Sequence, residues 1–330
     1  MRRTLATLAV GALVVGACGG TSTDTDGPLI VYSGRAEELV QPLIDDFTEA
    51  TGVEVIVRYA GSTELAATLL EEAESSDADI FYAQDPASLG AVTALLAPLP
   101  DEILSLVDAR FADREGRWVG VSGRVRVLAV NTESGVAAPD SIDEVVDGRY
   151  QGKLGIAPTN GSFLAFVSAM ILDRGEEATL DWLRRLAASD PVDFPGNSPV
   201  LEAVASGEID AGLINHYYLY QLKAEGGGDT AENHFLTAGD PGTLVMPSGV
   251  GIVATSDHPD AAAQLVEFLL SDRAQQFFAE ETYEYPLIAG VSPVDGLPPL
   301  SSLNALDIDL SSLASVLERA TQLVAEAGLV

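Results

Sequence analysis

The sequence predicts an α/β fold built as two lobes, and three observations carry that expectation. Strand-like and helix-like segments alternate from Pro28 onward, the rhythm of βαβ units with a largely parallel sheet. The length of 330 residues exceeds what one ordinary core fills and suits two lobes of similar size. No long linker separates the first set of elements from the second, so strands should cross between the lobes and leave a ligand cleft at the junction.

The elements follow in order. Leu29 to Tyr32 is a short apolar strand. Ala36 to Thr51 places Leu39, Val40, Leu43, Ile44 and Phe47 on one helical face, and Gly52 stops the helix. Val53, Val55 and Val57 alternate along a strand to Tyr59, Ser62-Thr63-Glu64 opens a helix, and Ala78 to Ala83 is the next strand. A second set begins with strands at Arg124 to Val130 and Lys153 to Ala157, followed by helices at Phe163 to Leu172 and Glu176 to Leu186. Ser198-Pro199 starts a helix, with proline in the first turn where its fixed φ is favourable. Ile209 to Ile214 is a strand that runs into His216-Tyr217-Tyr218, and Thr243 to Ala254 is a glycine-interrupted strand returning to the first set. Amphipathic helices close the chain at Pro259 to Leu270 and from Leu313 to Val324. The expected crossings are Arg124–Val130 and Val245–Val253.

The N-terminus addresses the compartment. Met1-Arg2-Arg3 is a positive n-region, and Thr4 to Ala17 is apolar, of signal-peptide length and too short for a membrane span. The segment ends Val15-Gly16-Ala17-Cys18, which resembles a lipoprotein lipobox. Cys18 is the single cysteine, so no internal disulfide can form. Residues 1–17 read as a lipoprotein signal peptide, and 18–27 as a lipidated Cys18 with a flexible polar tether. The expected location is extracytoplasmic, attached to the membrane through the lipid alone. The 50 acidic against 17 basic residues give a formal charge of −33. That balance excludes nucleic-acid binding by counterion release, which needs a basic face; otherwise it speaks mainly to solubility.

Catalytic templates fail. There is no G-x-S-x-G elbow and no H-E-x-x-H, and Gly148 to Lys153 lacks P-loop spacing. The histidines His216, His234 and His258 are scattered, so neither a histidine zinc site nor a Ser-His-Asp triad is indicated. No catalysis is expected.

What stands out is Asn215-His216-Tyr217-Tyr218 directly after a strand, where α/β folds place ligand-binding groups. Adjacent tyrosines face opposite ways on a regular strand, but at a strand-to-helix turn both phenols can enter one cleft. A hard, highly charged cation favours anionic oxygen, and a bound cation can displace the phenol proton despite a free pKa near ~10. Three tyrosines in four residues could equally be packing aromatics. Asn160-Gly161-Ser162 and Asn197-Ser198-Pro199 each precede a helix, whose exposed N–H groups bind anions or are simply capped. Arg35 follows the first strand, and Arg124 and Arg126 share one face of a crossing strand. Arginine is well shaped for an oxyanion, and each could also sit in a surface ion pair.

With these residues in view, the sequence resembles the ferric-iron solute-binding proteins of ABC transporters, a branch of the type 2 periplasmic binding proteins. The likeness runs from about Leu29 to the C-terminus through Val31 to Gly34, Phe47 to Gly52, Ala78 to Gln84, Ser122-Gly123-Arg124, Pro158 to Phe163, Asn197-Ser198, Gly207 to Tyr218, Asp240 to Gly242 and Glu284 to Leu287. It implies a two-lobed fold with a central cleft and strand hinges: lobe 1 from 28–126 and 251–280, lobe 2 from 127–250, and a C-terminal helical segment, 281–330, packing on both. By resemblance Tyr217 and Tyr218 bind ferric iron, and Asn160, Gly161, Ser162, Asn197 and Asn215 hold a synergistic carbonate or phosphate. Two departures stand out. Several members of that family carry a histidine ligand where this chain has Ala36, and several a glutamate ligand where it has Gln84, with Asp85 beside it. Gln84 and Asp85 are therefore the further candidate ligands, and Arg35 and Arg124 the candidate holders of the anion.

The leading expectation is a monomeric, non-enzymatic ferric-iron binder that hands its cargo to an ABC transporter permease. The alternatives are a type 2 binder for an organic anion or phosphonate without metal and, from another class, an extracytoplasmic hydrolase. The hydrolase lacks an assembled nucleophile or open zinc site.

Overall fold

The computed structural model describes residues 27–303, 306 and 308–330. The signal segment, Cys18 and most of the tether lie outside the described residues. The strands are β1 (Leu29–Ser33), β2 (Val55–Tyr59), β3 (Ile80–Ala83), β4 (Val119–Asn131), β5 (Leu154–Ile156), β6 (Val192–Asp193), β7 (Ala211–Asn215), β8 (Ala231–His234), β9 (Val245–Ile252) and β10 (Tyr285–Pro286). The helices of the first part are α1 (Glu37–Thr51), α2 (Ser62–Glu72), α3 (Pro86–Val92), α4 (Asp101–Leu104), α5 (Ile142–Val145) and α6 (Gly161–Arg174). Those of the second are α7 (Glu176–Ala188), α8 (Asn197–Ser206), α9 (Tyr217–Ala224), α10 (Pro259–Leu269), α11 (Asp272–Glu280) and α12 (Leu313–Glu326).

The strand order is β2-β1-β3-β9-β4-β7-β5-β6, with β8 and β10 also on β4. Pairing is parallel among β1, β2 and β3 and among β5, β6 and β7, and antiparallel wherever β4 or β9 takes part. β4 is the joining strand. Its first half, Val119 to Val125, pairs with β9, and its second, Arg126 to Val130, pairs with β7. The two lobes are therefore sewn together along one 13-residue strand. β9 starts level with the change of partners, Val245 opposite Val125.

β4 is longer than the sequence suggests because its first half contains Gly120 and Gly123. A Cβ on Gly120 would sit 2.7 Å from the Phe111 carbonyl and 2.9 Å from Leu287, so only glycine lets these segments close on the strand. Elsewhere local rules hold. α1 buries Val40, Leu43, Ile44 and Phe47, each worth roughly 1.5–3 kcal/mol of removed apolar surface. It ends at Gly52, left-handed at φ 77°, whose N–H reaches the Thr48 carbonyl. Phe163, Phe166, Trp182 and Leu213 form a second core distinct from the larger one around β1, β3 and β9. α12 joins them: Leu313 enters the larger core, while Ala320, Leu323 and Val324 enter the second.

Candidate functional site

β7 is buried along its whole length and delivers the chain to the junction at Asn215. His216 then fixes the turn. Its backbone N–H donates to the Val125 carbonyl, its Nδ1 accepts from the Val125 N–H at 3.1 Å, and its Nε2 donates to the Tyr283 carbonyl at 2.8 Å. An acceptor on one nitrogen and a donor on the other make the neutral ring the one that fits. Burial accordingly lowers its pKa from 6.5 to about 4, although the Tyr283 carbonyl opposes the shift.

Held by that anchor, Tyr217 and Tyr218 are the first two residues of α9, half-buried, with rings stacked at 4.3 Å. Both line a cavity of about 350 Å³. Burial, and then the neighbouring Tyr218, push the Tyr217 phenol well above its ordinary range, while Arg124 opposes the rise. A phenol so placed stays protonated until a cation arrives to stabilise its phenolate.

Across the same cavity lie the starts of α6 and α8. Asn160 caps α6, its Oδ1 accepting from Ser162 N at 3.0 Å and Ser162 Oγ at 2.7 Å. The Ser162 hydroxyl in turn accepts from Arg126 Nη1 at 3.0 Å and Asn197 Nδ2 at 3.2 Å. α8 and α9 begin without a side-chain cap, so N–H groups at these starts remain available to an anion. Asn197 Oδ1 and Asn215 Oδ1 are buried without a hydrogen-bond partner, as are the Nε atoms of Arg124 and Arg126. Orphaned polar groups at this density mark where a polar ligand belongs.

Of the residues anticipated from the sequence, Gln84, Asp85, Arg124, Asn160, Gly161, Ser162, Asn197, Asn215, Tyr217 and Tyr218 all line the cavity. Two are placed differently from the expectation. Arg35 is not on the cavity wall. Its guanidinium lies behind it, bonded to both oxygens of Glu284 at 3.1 and 2.7 Å, with 3% of the residue exposed. Asp85 faces the cavity, but its carboxylate caps α3, accepting from Ser88 N at 2.8 Å and Ser88 Oγ at 3.0 Å. Gln84 stays in place through its backbone, which accepts from Arg124 and donates to Ser62 Oγ. Ala36 is exposed. Among the described residues no cluster of three or more His, Cys, Asp or Glu could hold a metal ion.

Glu284 was legible only as part of a motif, yet it organises the junction. It is buried with Arg35, lies 3.9 Å from Arg124 Nε and accepts from Ser122 Oγ at 2.8 Å. Burial alone would raise its pKa, but the two guanidiniums and the serine hydroxyl hold it below the usual carboxylate range. Gly34, Ser62, Met246 and Leu317 also line the cavity, with no short-range signal to announce them. Gly34 is forced by proximity, since a Cβ there would collide with Ser62.

Residues 75–310 match the family model for bacterial extracellular solute-binding proteins. The chain is 34% identical over 309 residues to the major ferric iron-binding protein of Neisseria meningitidis serogroup B, covering 91% of this chain and 93% of that one. Its fold superimposes on iron-bound HitA from Pseudomonas aeruginosa with a TM-score of 0.82 and 33% identity, over 91% and 99% of the two chains. Trichodesmium IdiA (FutA), solved with iron and citrate ligands, gives a TM-score of 0.82 at 26% identity over 92% and 99%. The chain belongs to the bacterial extracellular solute-binding proteins, with the two-lobed α/β fold of its ferric-iron-binding relatives.

Proposed function

We propose that this chain captures ferric iron through Tyr217 and Tyr218, together with an exogenous oxyanion, and delivers it to an ABC transporter permease. The observation that carries the reading is the pair of adjacent phenols at the start of α9, facing the same cavity as the starts of α6 and α8. Ferric iron carries three positive charges and two phenolates supply two negative ones. Leaving the remainder uncompensated in a partly dry cleft is costly, and Asp85 and Glu284 are already engaged. Carbonate or phosphate at Asn160, Gly161, Ser162, Asn197 and Asn215, with Arg124 beside it, would complete both charge and coordination. The citrate in the Trichodesmium relative makes a carboxylate anion a third choice. Arg35 would act from behind, by holding Glu284.

Lobe 1 would comprise 28–125 and 245–280, because β9 pairs with β3 and with the first half of β4 and so lies with the first lobe rather than joining it at 251 as the sequence suggested, and lobe 2 would comprise 126–244, with the segment 281–330 against both; closure about β4 and the start of β9 would trap the ion and opening would release it. The described residues contain no helix long and apolar enough to cross a membrane. Attachment would rest on a lipidated Cys18, and Cys18→Ala should release the protein from the membrane while leaving purified protein able to bind. The reading is of a monomeric binding protein rather than an enzyme.

The test is a titration of the mature domain with ferric nitrilotriacetate, followed by the visible phenolate-to-iron absorption, with and without carbonate, phosphate and citrate. Tyr217→Phe and Tyr218→Phe should each abolish the colour or nearly so. Anion binding without any colour would instead favour the metal-free organic-anion reading.

A further inference from the structure

Arg126 is the anomaly of the junction. It sits on β4 opposite Asn215 and is wholly buried. Its Nη1 donates to Ser162 Oγ and its Nη2 to the Leu213 carbonyl, both at 3.0 Å, while Nε has no partner. The guanidinium lies 5.8 Å from the ring centres of Phe163 and of Phe166. Arg35 and Arg124 share Glu284, but no carboxylate among the described residues pairs with Arg126. Its side-chain bonds go to a neutral hydroxyl and a carbonyl. A buried cation so placed is destabilising unless something else supplies the counter-charge.

The cavity side offers a place for it. Ser162 is a cavity wall at the start of α6, and the same hydroxyl accepts from Asn197. An oxyanion seated at the α6 start would lie one hydroxyl away from the guanidinium.

We infer that Arg126 is a binding-site residue whose counter-ion arrives with the cargo: the oxyanion at the start of α6. The inference rests on the ferric-iron reading of the cavity. Arg126 does not touch the ion. It is a positioning residue that orients Ser162 from behind and contributes a fixed positive charge, as second-layer groups do at metal sites. An unpaired buried charge in the ligand-free state also means that stability is sacrificed for binding, a trade seen at functional sites. That trade separates the role from that of a structural brace, because removing the charge should harm binding without harming the fold.

The experiment compares Arg126→Gln, Arg126→Met and Arg126→Lys with wild type. Each is titrated with ferric nitrilotriacetate at several bicarbonate concentrations, and each ligand-free protein is melted by circular dichroism. A hydrogen bond to a charged group sets the scale, so Arg126→Gln and Arg126→Met should bind iron roughly tenfold to a hundredfold more weakly. They should also need more bicarbonate and shift the phenolate-to-iron absorption maximum. Their ligand-free melting temperatures should equal or exceed wild type, and Arg126→Lys should bind better than either. Equal iron affinity and an unmoved absorption maximum in Arg126→Gln would overturn the inference. So would Gln and Met variants that both melt well below wild type, which would make Arg126 a brace. Wild type that takes up no iron would instead sink the functional reading itself, and that control is measured first.

Discussion

His216 offers a quantitative test of how the junction is held. Its ring is wholly buried, accepts from the Val125 N–H and donates to the Tyr283 carbonyl, so it folds neutral. Its pKa falls from 6.5 to about 4 on folding, with burial as the main cause. Between those values the unfolded chain binds a proton that the folded chain refuses, so stability must fall as pH drops from above 6.5 toward 4 and level off below. The full shift corresponds to roughly 3 kcal/mol, of which about 2 kcal/mol should appear between pH 7 and pH 5. The assay is urea unfolding of wild type and His216→Gln at both pH values. His216→Gln should be less stable at pH 7 by about 1–3 kcal/mol, because the buried Val125 N–H loses a good acceptor. It should then lose about 2 kcal/mol less than wild type on going to pH 5. Subtracting the two cancels the titration of the chain's many carboxylates. Identical pH dependence in the two proteins would refute the claim that His216 folds neutral and that its two bonds hold the turn into α9.

Two further outcomes follow from the placements. Arg124→Ala should weaken iron binding by roughly tenfold or more, chiefly by raising the anion concentration needed, since a charge-assisted bond to the anion is lost; titration across a bicarbonate series reads it. Asp85→Ser should leave both melting temperature and iron affinity near wild type, because serine caps α3 as well as aspartate does, whereas Asp85→Ala should cost about 1 kcal/mol. A large loss of iron affinity in Asp85→Ser would make Asp85 a ligand rather than a cap.

The alternation of elements, the buried face of α1 and the stop at Gly52 were legible because each is set by neighbours a few residues away. So was the strand-to-helix turn that brings Tyr217 and Tyr218 into one cleft. The first half of β4 escaped because Gly120 and Gly123 carry no strand signal of their own; their role comes from Leu287 and Tyr285, far along the chain. α11 escaped because Asp272 to Glu280 is largely polar, and only Ala274, Gln275, Phe278 and Ala279 turn inward. Arg35 was read toward the cavity because its partner, Glu284, lies 249 residues away. Arg126 was visible as a neighbour of Arg124 on one strand face. That no carboxylate among the described residues pairs with it could only emerge once β7 and α6 had closed around it.

The most direct test is to locate the ion. Crystals of the mature domain grown with ferric nitrilotriacetate and bicarbonate would be measured at the iron absorption edge. The account predicts one anomalous peak between the phenolate oxygens of Tyr217 and Tyr218, with a non-protein oxyanion against the start of α6. A peak elsewhere, or an iron-free cleft with both tyrosines still protonated and bonded to solvent, would contradict it.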